Sequence, residues 1–177
     1  MKYRIRNFFM ITVLMLVLFL LQYSVLPAVP HLNAAPDLMF ILTFFFAYYR
    51  GRNAGMITGF FAGLITDIFY GQVIGFNALL FVAAAMVIGY FGRFFYANNI
   101  LAPAGLLVLA DLSCDLIFYF VWFVLMSRFS FSSVLVRVII PELCMTFVAG
   151  IILLKPMQFM IRRMYMYYDS PDEEDTL

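Results

Sequence analysis

The chain has 177 residues, of which 66% are hydrophobic and only 12% are charged, and its formal net charge is +1. Soluble domains are close to half apolar and a quarter charged, so this composition excludes a water-soluble core and makes lipid the surrounding solvent. The sequence has no basic patch of the kind that binds nucleic acid. Its single histidine, His31, argues against a zinc site of the usual type.

The first two predicted helices lie on either side of a proline-rich loop. A basic start, MKYRIRNFF, precedes an apolar run over residues 8–26 that is long enough to span a bilayer. No convincing small-x-small cleavage motif follows this run, so we interpret it as a retained helix rather than a signal peptide. The second run, over residues 38–49, is short for a full span and ends at the basic pair Arg50 and Arg52.

A third predicted helix, over residues 53–70, carries a glycine at every fourth position, Gly55, Gly59 and Gly63. Together with Gly51 they form the series that we name the glycine ladder. Residues four apart lie nearly on one face of a helix, so glycines at this spacing form a groove where another backbone can approach closely. Four residues turn a helix by about 400°, so the stripe drifts by about 40° at each step. The glycine ladder ends in an aspartate, Asp67, and Gly71 and Gly75 continue its spacing. We predict that the helix-packing groove is formed by Gly51, Gly55, Gly59 and Gly63.

Three further helices complete the predicted fold. They cover residues 76–95, 101–126 and 134–154, and an amphipathic continuation over residues 155–168 alternates basic and aromatic side chains. The fold class is therefore all-α: a polytopic membrane protein with six transmembrane helices. Residues 1–160 are predicted to form the transmembrane domain. Residues 161–177 are predicted to form a cytoplasmic interfacial segment with a disordered acidic tail.

The basic residues orient the predicted helices. Six spans place both termini on one side, and only Arg128 and Arg137 fall on the other. By the positive-inside rule the side of the termini is cytoplasmic. The basic residues on that side are Lys2, Arg4, Arg6, Arg50, Arg52, Arg93, Lys155, Arg162 and Arg163.

Several carboxyl groups lie within the predicted spans, where each costs about 2.5–3.5 kcal/mol on insertion scales. We expect Asp67, Asp115 and Glu142 to meet in the outer half of the bundle. Asp111 shares a helix face with Asp115. A hydrogen-bond network that fixes packing, a polar pocket and catalytic carboxylates all remain open as interpretations. If hydrogen bonding is the whole role of Asp67, Asp67→Asn should preserve folding. The candidates for the cluster or pocket are Asp67, Asn77, Asp111, Asp115 and Glu142.

The sequence contains no motif that indicates a nucleophile, a metal or a nucleotide, since GxSxG, HExxH and P-loop patterns are all missing. Cys114 and Cys144 lie within apolar segments without metal-binding spacing, so we interpret them as small buried hydrophobes. We therefore predict no catalytic residues, no cofactor and no metal.

Residues 36–80, about a quarter of the chain, resemble the core of the MreD family of rod shape-determining membrane proteins. The resemblance consists of a Pro-Asp entry to an apolar helix, a basic-glycine turn, a glycine-rich helix ending in Asp, and then G-x-x-x-G-x-N. These features correspond to Pro36 and Asp37, Arg50 and Gly51, Gly59 and Gly63 with Asp67, and Gly71, Gly75 and Asn77.

The resemblance implies a non-enzymatic scaffold in the bacterial cytoplasmic (inner) membrane, required for rod shape and lateral cell-wall synthesis. Its implied partner is the bitopic protein MreC, and through it MreB, RodA and a class B penicillin-binding protein. The family is also similar in fold to the S components of energy-coupling-factor transporters, so a subunit that binds a small molecule or a lipid headgroup is the alternative. A third hypothesis is an intramembrane aspartyl hydrolase that uses Asp111 or Asp115 with Glu142.

Overall fold

A computed structural model describes residues 2–25, 36–71, 73–92, 101–126 and 140–166. All regular secondary structure in these ranges is helical, which confirms the all-α prediction for the described part of the chain. The first helix continues into a π-helical turn, Leu21–Val25. The helices are α1 (Lys2–Leu20), α2 (Leu38–Arg50), α3 (Arg52–Tyr70), α4 (Phe76–Phe91), α5 (Leu101–Met126) and α6 (Ile140–Met166).

The observed bounds of α2 to α5 follow the apolar runs of the sequence closely. The described part of α4 ends at Phe91, and the amide of Gly92 still donates to the carbonyl of Ile88. Helix α6 continues through Pro156 to Met166, so the amphipathic continuation is helical as far as that residue. The predicted start of the sixth helix and the acidic tail lie outside the described residues.

Two of the described helices are long and apolar enough to cross a membrane by themselves. The apolar windows are Pro103–Val121 in α5 and Leu143–Ile161 in α6. Three shorter apolar segments accompany them, Phe9–Ser24, Leu38–Arg50 and Phe76–Phe91. Length and composition thus identify two spans, and the six-span topology with cytoplasmic termini stays a prediction.

Helix α2 forms the centre of the bundle. Every side chain from Leu38 to Tyr48 is buried, and the helix contacts α1, α3, α4, α5 and α6. Its 13 residues give a length of about 20 Å at 1.5 Å per residue, less than the ~30 Å thickness of a bilayer core. A helix that is apolar on all sides is typical of an element surrounded by other helices. The second apolar run is short because neighbouring helices, rather than lipid, surround it.

The glycines of α3 lie where its neighbours approach most closely. At Gly55 an added Cβ atom would stand 2.5 Å from the Cα atom of Ala47 in α2. At Gly59 it would stand 2.7 Å from Cγ2 of Thr43 in α2 and 3.1 Å from the carbonyl oxygen of Phe81 in α4. Real Cβ atoms do not approach other atoms as closely as 2.5 or 2.7 Å. At Gly55 the backbones of α2 and α3 therefore pack directly against each other, and at Gly59 the methyl group of Thr43 occupies the space that a side chain would need.

The later part of the ladder turns towards α4. An added Cβ atom at Gly63 would stand 2.5 Å from both Cα and N of Ala78 in α4. At the other end of the helix pair, Gly89 of α4 lies equally close to the backbone of Arg52 in α3. The face of α3 that carries the glycines therefore rotates from α2 to α4 along the helix. Gly51 precedes α3, has φ +86° and has no neighbour within 4 Å of an added Cβ, so it serves the turn between α2 and α3.

Candidate functional site

The carboxylate of Asp67, at the end of α3, is directed at the start of α4. Its side chain is 1% exposed. Oδ2 accepts hydrogen bonds from the amides of Gly75 at 2.9 Å and Ala78 at 3.1 Å. Oδ1 accepts from the amide of Asn77 at 3.2 Å and from its Nδ2 at 2.9 Å. The first amides of a helix lack partners within the helix, so Asp67 supplies from α3 the N-terminal cap that α4 needs.

Two glycines make room for this arrangement, which we name the Asp67 cap (Asp67, Gly71, Gly75, Asn77 and Ala78). Gly75 adopts a left-handed conformation with φ +95° and offers no side chain to cap its own helix. At Gly71 an added Cβ atom would stand 2.6 Å from Cα and 2.9 Å from Oδ1 of Asp67. The pattern of an aspartate followed by G-x-x-x-G-x-N therefore has a stereochemical reason at each of its four positions.

A second polar group lies where α2 begins. Oδ1 of Asp37 accepts from the amide of Phe40 at 3.0 Å and from Nε2 of Gln22 at 3.3 Å. Oε1 of Gln22 accepts from the amide of Met39 at 3.1 Å, and the amide of Asp37 donates to Oγ1 of Thr146 at 3.3 Å. This Asp37 junction (Gln22, Asp37 and Thr146) ties the π-helical turn after α1, the start of α2 and the body of α6 together.

Helix α5 carries two carboxyl groups, Asp111 and Asp115. Asp111 is 3% exposed. Oδ2 of Asp115 is buried and accepts no hydrogen bond from any residue that the structure describes. Within the described ranges, no set of three His, Cys, Asp or Glu side chains is arranged to hold a metal ion.

The candidate residues from the sequence thus fall into separate groups. Asp67 and Asn77 form a direct pair at the start of α4, whereas Asp111 and Asp115 lie on α5. The backbone of Glu142 is part of α6, but its side chain lies outside the described residues. The expected meeting of Asp67 with Asp115 and Glu142 stays a prediction, and the four hydrogen bonds of Asp67 all go to the start of α4.

Sequence reasoning did not select the residues of the Asp37 junction as candidates. One signal was available, because an aspartate directly before an apolar run is typical of a helix N-cap. Nothing in the sequence marks Gln22 and Thr146 as its partners, since they stand 15 and 109 positions away from Asp37. Only the packing of α1 and α6 around α2 brings them together.

An apolar groove of about 670 Å³ runs between α4 and α5. Small side chains form much of its lining, among them Ala83 and Ala84 of α4 and Ala110 and Ser113 of α5. Gly105 also lines the groove, and an added Cβ atom there would meet no atom within 4 Å. The groove therefore differs from the close α3–α4 contact, where the glycines are already covered.

Asp115→Asn is expected to leave the stability of the protein unchanged or to raise it. Burial of an ionised carboxylate whose oxygen lacks a partner costs more free energy than burial of a neutral amide of the same size, so the substitution lowers this cost. Thermal unfolding in detergent micelles measures the effect, with the exposed position Ser113→Ala on the same helix as the control. A fall in the unfolding midpoint beyond that of the control would show that the Asp115 carboxylate makes a stabilising contact.

Comparison with protein families identifies the chain. The sequence matches the family model described as rod shape-determining protein MreD over residues 2–166, which is nearly its full length. A comparison with curated proteins found no match, and neither did one with solved structures. The family match includes the Asp67 cap, the Asp37 junction and the glycine ladder, and it confirms the resemblance seen in residues 36–80. The chain belongs to the MreD family of rod shape-determining membrane proteins.

Proposed function

We propose that this shape-determining protein is a non-enzymatic scaffold of the bacterial elongation machinery that binds MreC in the cytoplasmic membrane. Through MreC it would associate with MreB, RodA and a class B penicillin-binding protein. The observation that carries the proposal is the family match over residues 2–166. A scaffold holds its partners in place, and this role requires a stable helix bundle rather than a reactive group.

The contacts of the signature residues support a scaffold. The carboxylate of Asp67 is saturated by hydrogen bonds from the start of α4. Asp37 caps α2 and bonds to the neighbouring turn. Gly59 and Gly63 bring helix backbones into contact. Each of these residues builds the bundle, so the residues that resemble the family core are those that make α2, α3 and α4 one packed unit.

The same contacts limit where a partner helix can lie. Gly55, Gly59 and Gly63 are covered by the backbones of α2 and α4, so the single span of MreC cannot use this stripe without separating helices that already pack. We infer that MreC contacts another face of the bundle and that the glycine ladder serves the internal packing of the protein.

A crosslinked pull-down from native bacterial membranes tests the proposal. The tagged protein is crosslinked in intact cells, solubilised and purified, and its partners are identified by mass spectrometry. We expect enrichment of MreC together with cell-wall synthases over a tagged, unrelated polytopic protein expressed at the same level. Recovery of a transporter coupling protein with ATPases, without MreC, would overturn the proposal in favour of the S-component alternative.

A further inference from the structure

The carboxylate of Asp67 acts as an acceptor in each of its four hydrogen bonds to the described residues. Each carboxylate oxygen accepts two hydrogen bonds, and all four donors are N–H groups. An ionised carboxylate offers acceptors alone, whereas a protonated one must direct an O–H group at a partner that accepts. The cap contains no such acceptor among its four contacts. The geometry therefore fits the anion.

The position of the carboxylate favours the same state. Three of the four donors are backbone amides at the N-terminus of α4, from the preceding residue Gly75 and from Asn77 and Ala78 in the first turn, where the partial positive charge of the helix is concentrated. Asp67 is 1% exposed, so these amides, rather than water, solvate its charge. Hydrogen bonds to a charged acceptor are about twice as strong as neutral ones, and the low dielectric constant of a buried position strengthens them further.

The Asp67 cap also determines how α4 lies along α3. The contact between Gly63 and Ala78 lies one turn of α3 before Asp67, and the contact between Gly89 and Arg52 lies at the far end of the helix pair. A shift of α4 by a single residue moves it by about 1.5 Å, which is enough to break hydrogen bonds of 2.9–3.2 Å. The Asp67 cap and both glycine contacts therefore require the same register of α4 along α3.

We propose that Asp67 is kept as an anion inside the bundle and positions α4 against α3 by its charge, so that a neutral polar side chain cannot replace it. This inference does not depend on the identity of any partner. Asp67→Asn is expected to preserve folding only if hydrogen bonding is the whole role of Asp67, and a role for its charge predicts a loss of stability instead. In that variant an NH₂ group takes the place of one carboxylate oxygen, and it must face two N–H donors.

The first test is the thermal stability of Asp67→Asn. The native thiol of Cys114 is partly buried and reports unfolding when a thiol-reactive dye gains access to it on heating, and the reaction of the exposed Cys144 in the folded protein is subtracted as background. We expect the unfolding midpoint in detergent micelles to fall by about 5–10 °C. The control is Asn77→Ala, which removes one donor of the four and is expected to lower the midpoint by no more than about 3 °C.

A charge exchange between Asp67 and Asn77 gives a sharper test. In the wild-type background, Asn77→Asp places a second carboxylate beside the first and is expected to lower the midpoint. In the Asp67→Asn background the same change is expected to raise it. The new carboxylate at position 77 then accepts from the amide at position 67, while the oxygen of that amide retains the hydrogen bonds from Gly75 and Ala78. Asn77→Asp is thus expected to lower the unfolding midpoint when position 67 is aspartate and to raise it when position 67 is asparagine.

The unfolding midpoints of the two single variants and the double variant together test whether Asp67 is an anion. Recovery of at least half of the lost midpoint in the double variant, with a loss for Asn77→Asp alone, supports the anion. An Asp67→Asn protein as stable as the wild type overturns it. So does a double variant that is no more stable, or accumulates in membranes no better, than Asp67→Asn.

Discussion

Gly63→Ala is expected to lower the free energy of unfolding by about 2 kcal/mol. The new Cβ atom would stand 2.5 Å from the backbone of Ala78, and backbone in the middle of a packed helix pair cannot move aside as a flexible side chain can. Overpacking of this kind costs up to about 3 kcal/mol. Alanine regains about 1 kcal/mol through its higher helix propensity, so the net effect is destabilising. Chemical unfolding in mixed micelles measures the loss.

The matched control for this prediction is Gly105→Ala. Both glycines lie within helices, but an added Cβ atom at Gly105 would meet nothing within 4 Å. Helix propensity alone then acts, and we expect the free energy of unfolding to stay constant or to rise by up to about 1 kcal/mol. Equal losses at Gly63 and Gly105 would mean that any enlarged side chain disturbs the protein, and that the α3–α4 contact is not special.

Asp37→Ala is expected to lower the free energy of unfolding by about 2–3 kcal/mol. The change removes the N-cap of α2, which is worth about 1 kcal/mol, and it leaves the amide of Phe40 and Nε2 of Gln22 without their acceptor. The effect reaches beyond α2, because Gln22 belongs to the π-helical turn after α1 and its Oε1 accepts from the amide of Met39 in α2. The same unfolding measurement determines the loss.

Asp37→Asn separates hydrogen bonding from charge at this position. Both side-chain hydrogen bonds go to Oδ1 of Asp37, and the carbonyl oxygen of an asparagine can accept both of them. We therefore expect a change of less than about 0.5 kcal/mol, in contrast to the large loss at Asp67. If Asp37→Asn is as damaging as Asp37→Ala, the charge of Asp37 is required and its role is not that of a simple cap.

The helices and their order could be predicted from the sequence because their signals are local. Helix α2 begins directly after Asp37 and ends at a basic residue followed by Gly51, and α4 follows the turn that contains Gly75. The spacing of the glycines also predicted a stripe that turns around α3, and the structure places Gly55 against α2 and Gly63 against α4. The helical spacing of residues and the turn residues at helix ends are sufficient to predict features of this kind.

The partners of the polar side chains could not be predicted in the same way. Nothing local indicates that Asp67 bonds to the amides of Gly75 and Ala78, because the turn that brings them back depends on a left-handed residue at position 75. The hydrogen bond from Asp37 to Thr146 joins residues 109 positions apart and requires the assembled bundle. The sequence shows which carboxyl groups lie within apolar segments, but the partners of these groups depend on the tertiary packing.

The burial of α2 has a consequence for how the protein responds to membrane thickness. A change in bilayer thickness acts on helices that face lipid, through tilt and local deformation of the membrane. Helix α2 is enclosed by its neighbours along Leu38 to Tyr48, whereas α5 and α6 present exposed apolar side chains such as Phe120 and Ile152. The outer helices can therefore tilt to match membranes of different composition while the contacts around α2 keep their geometry.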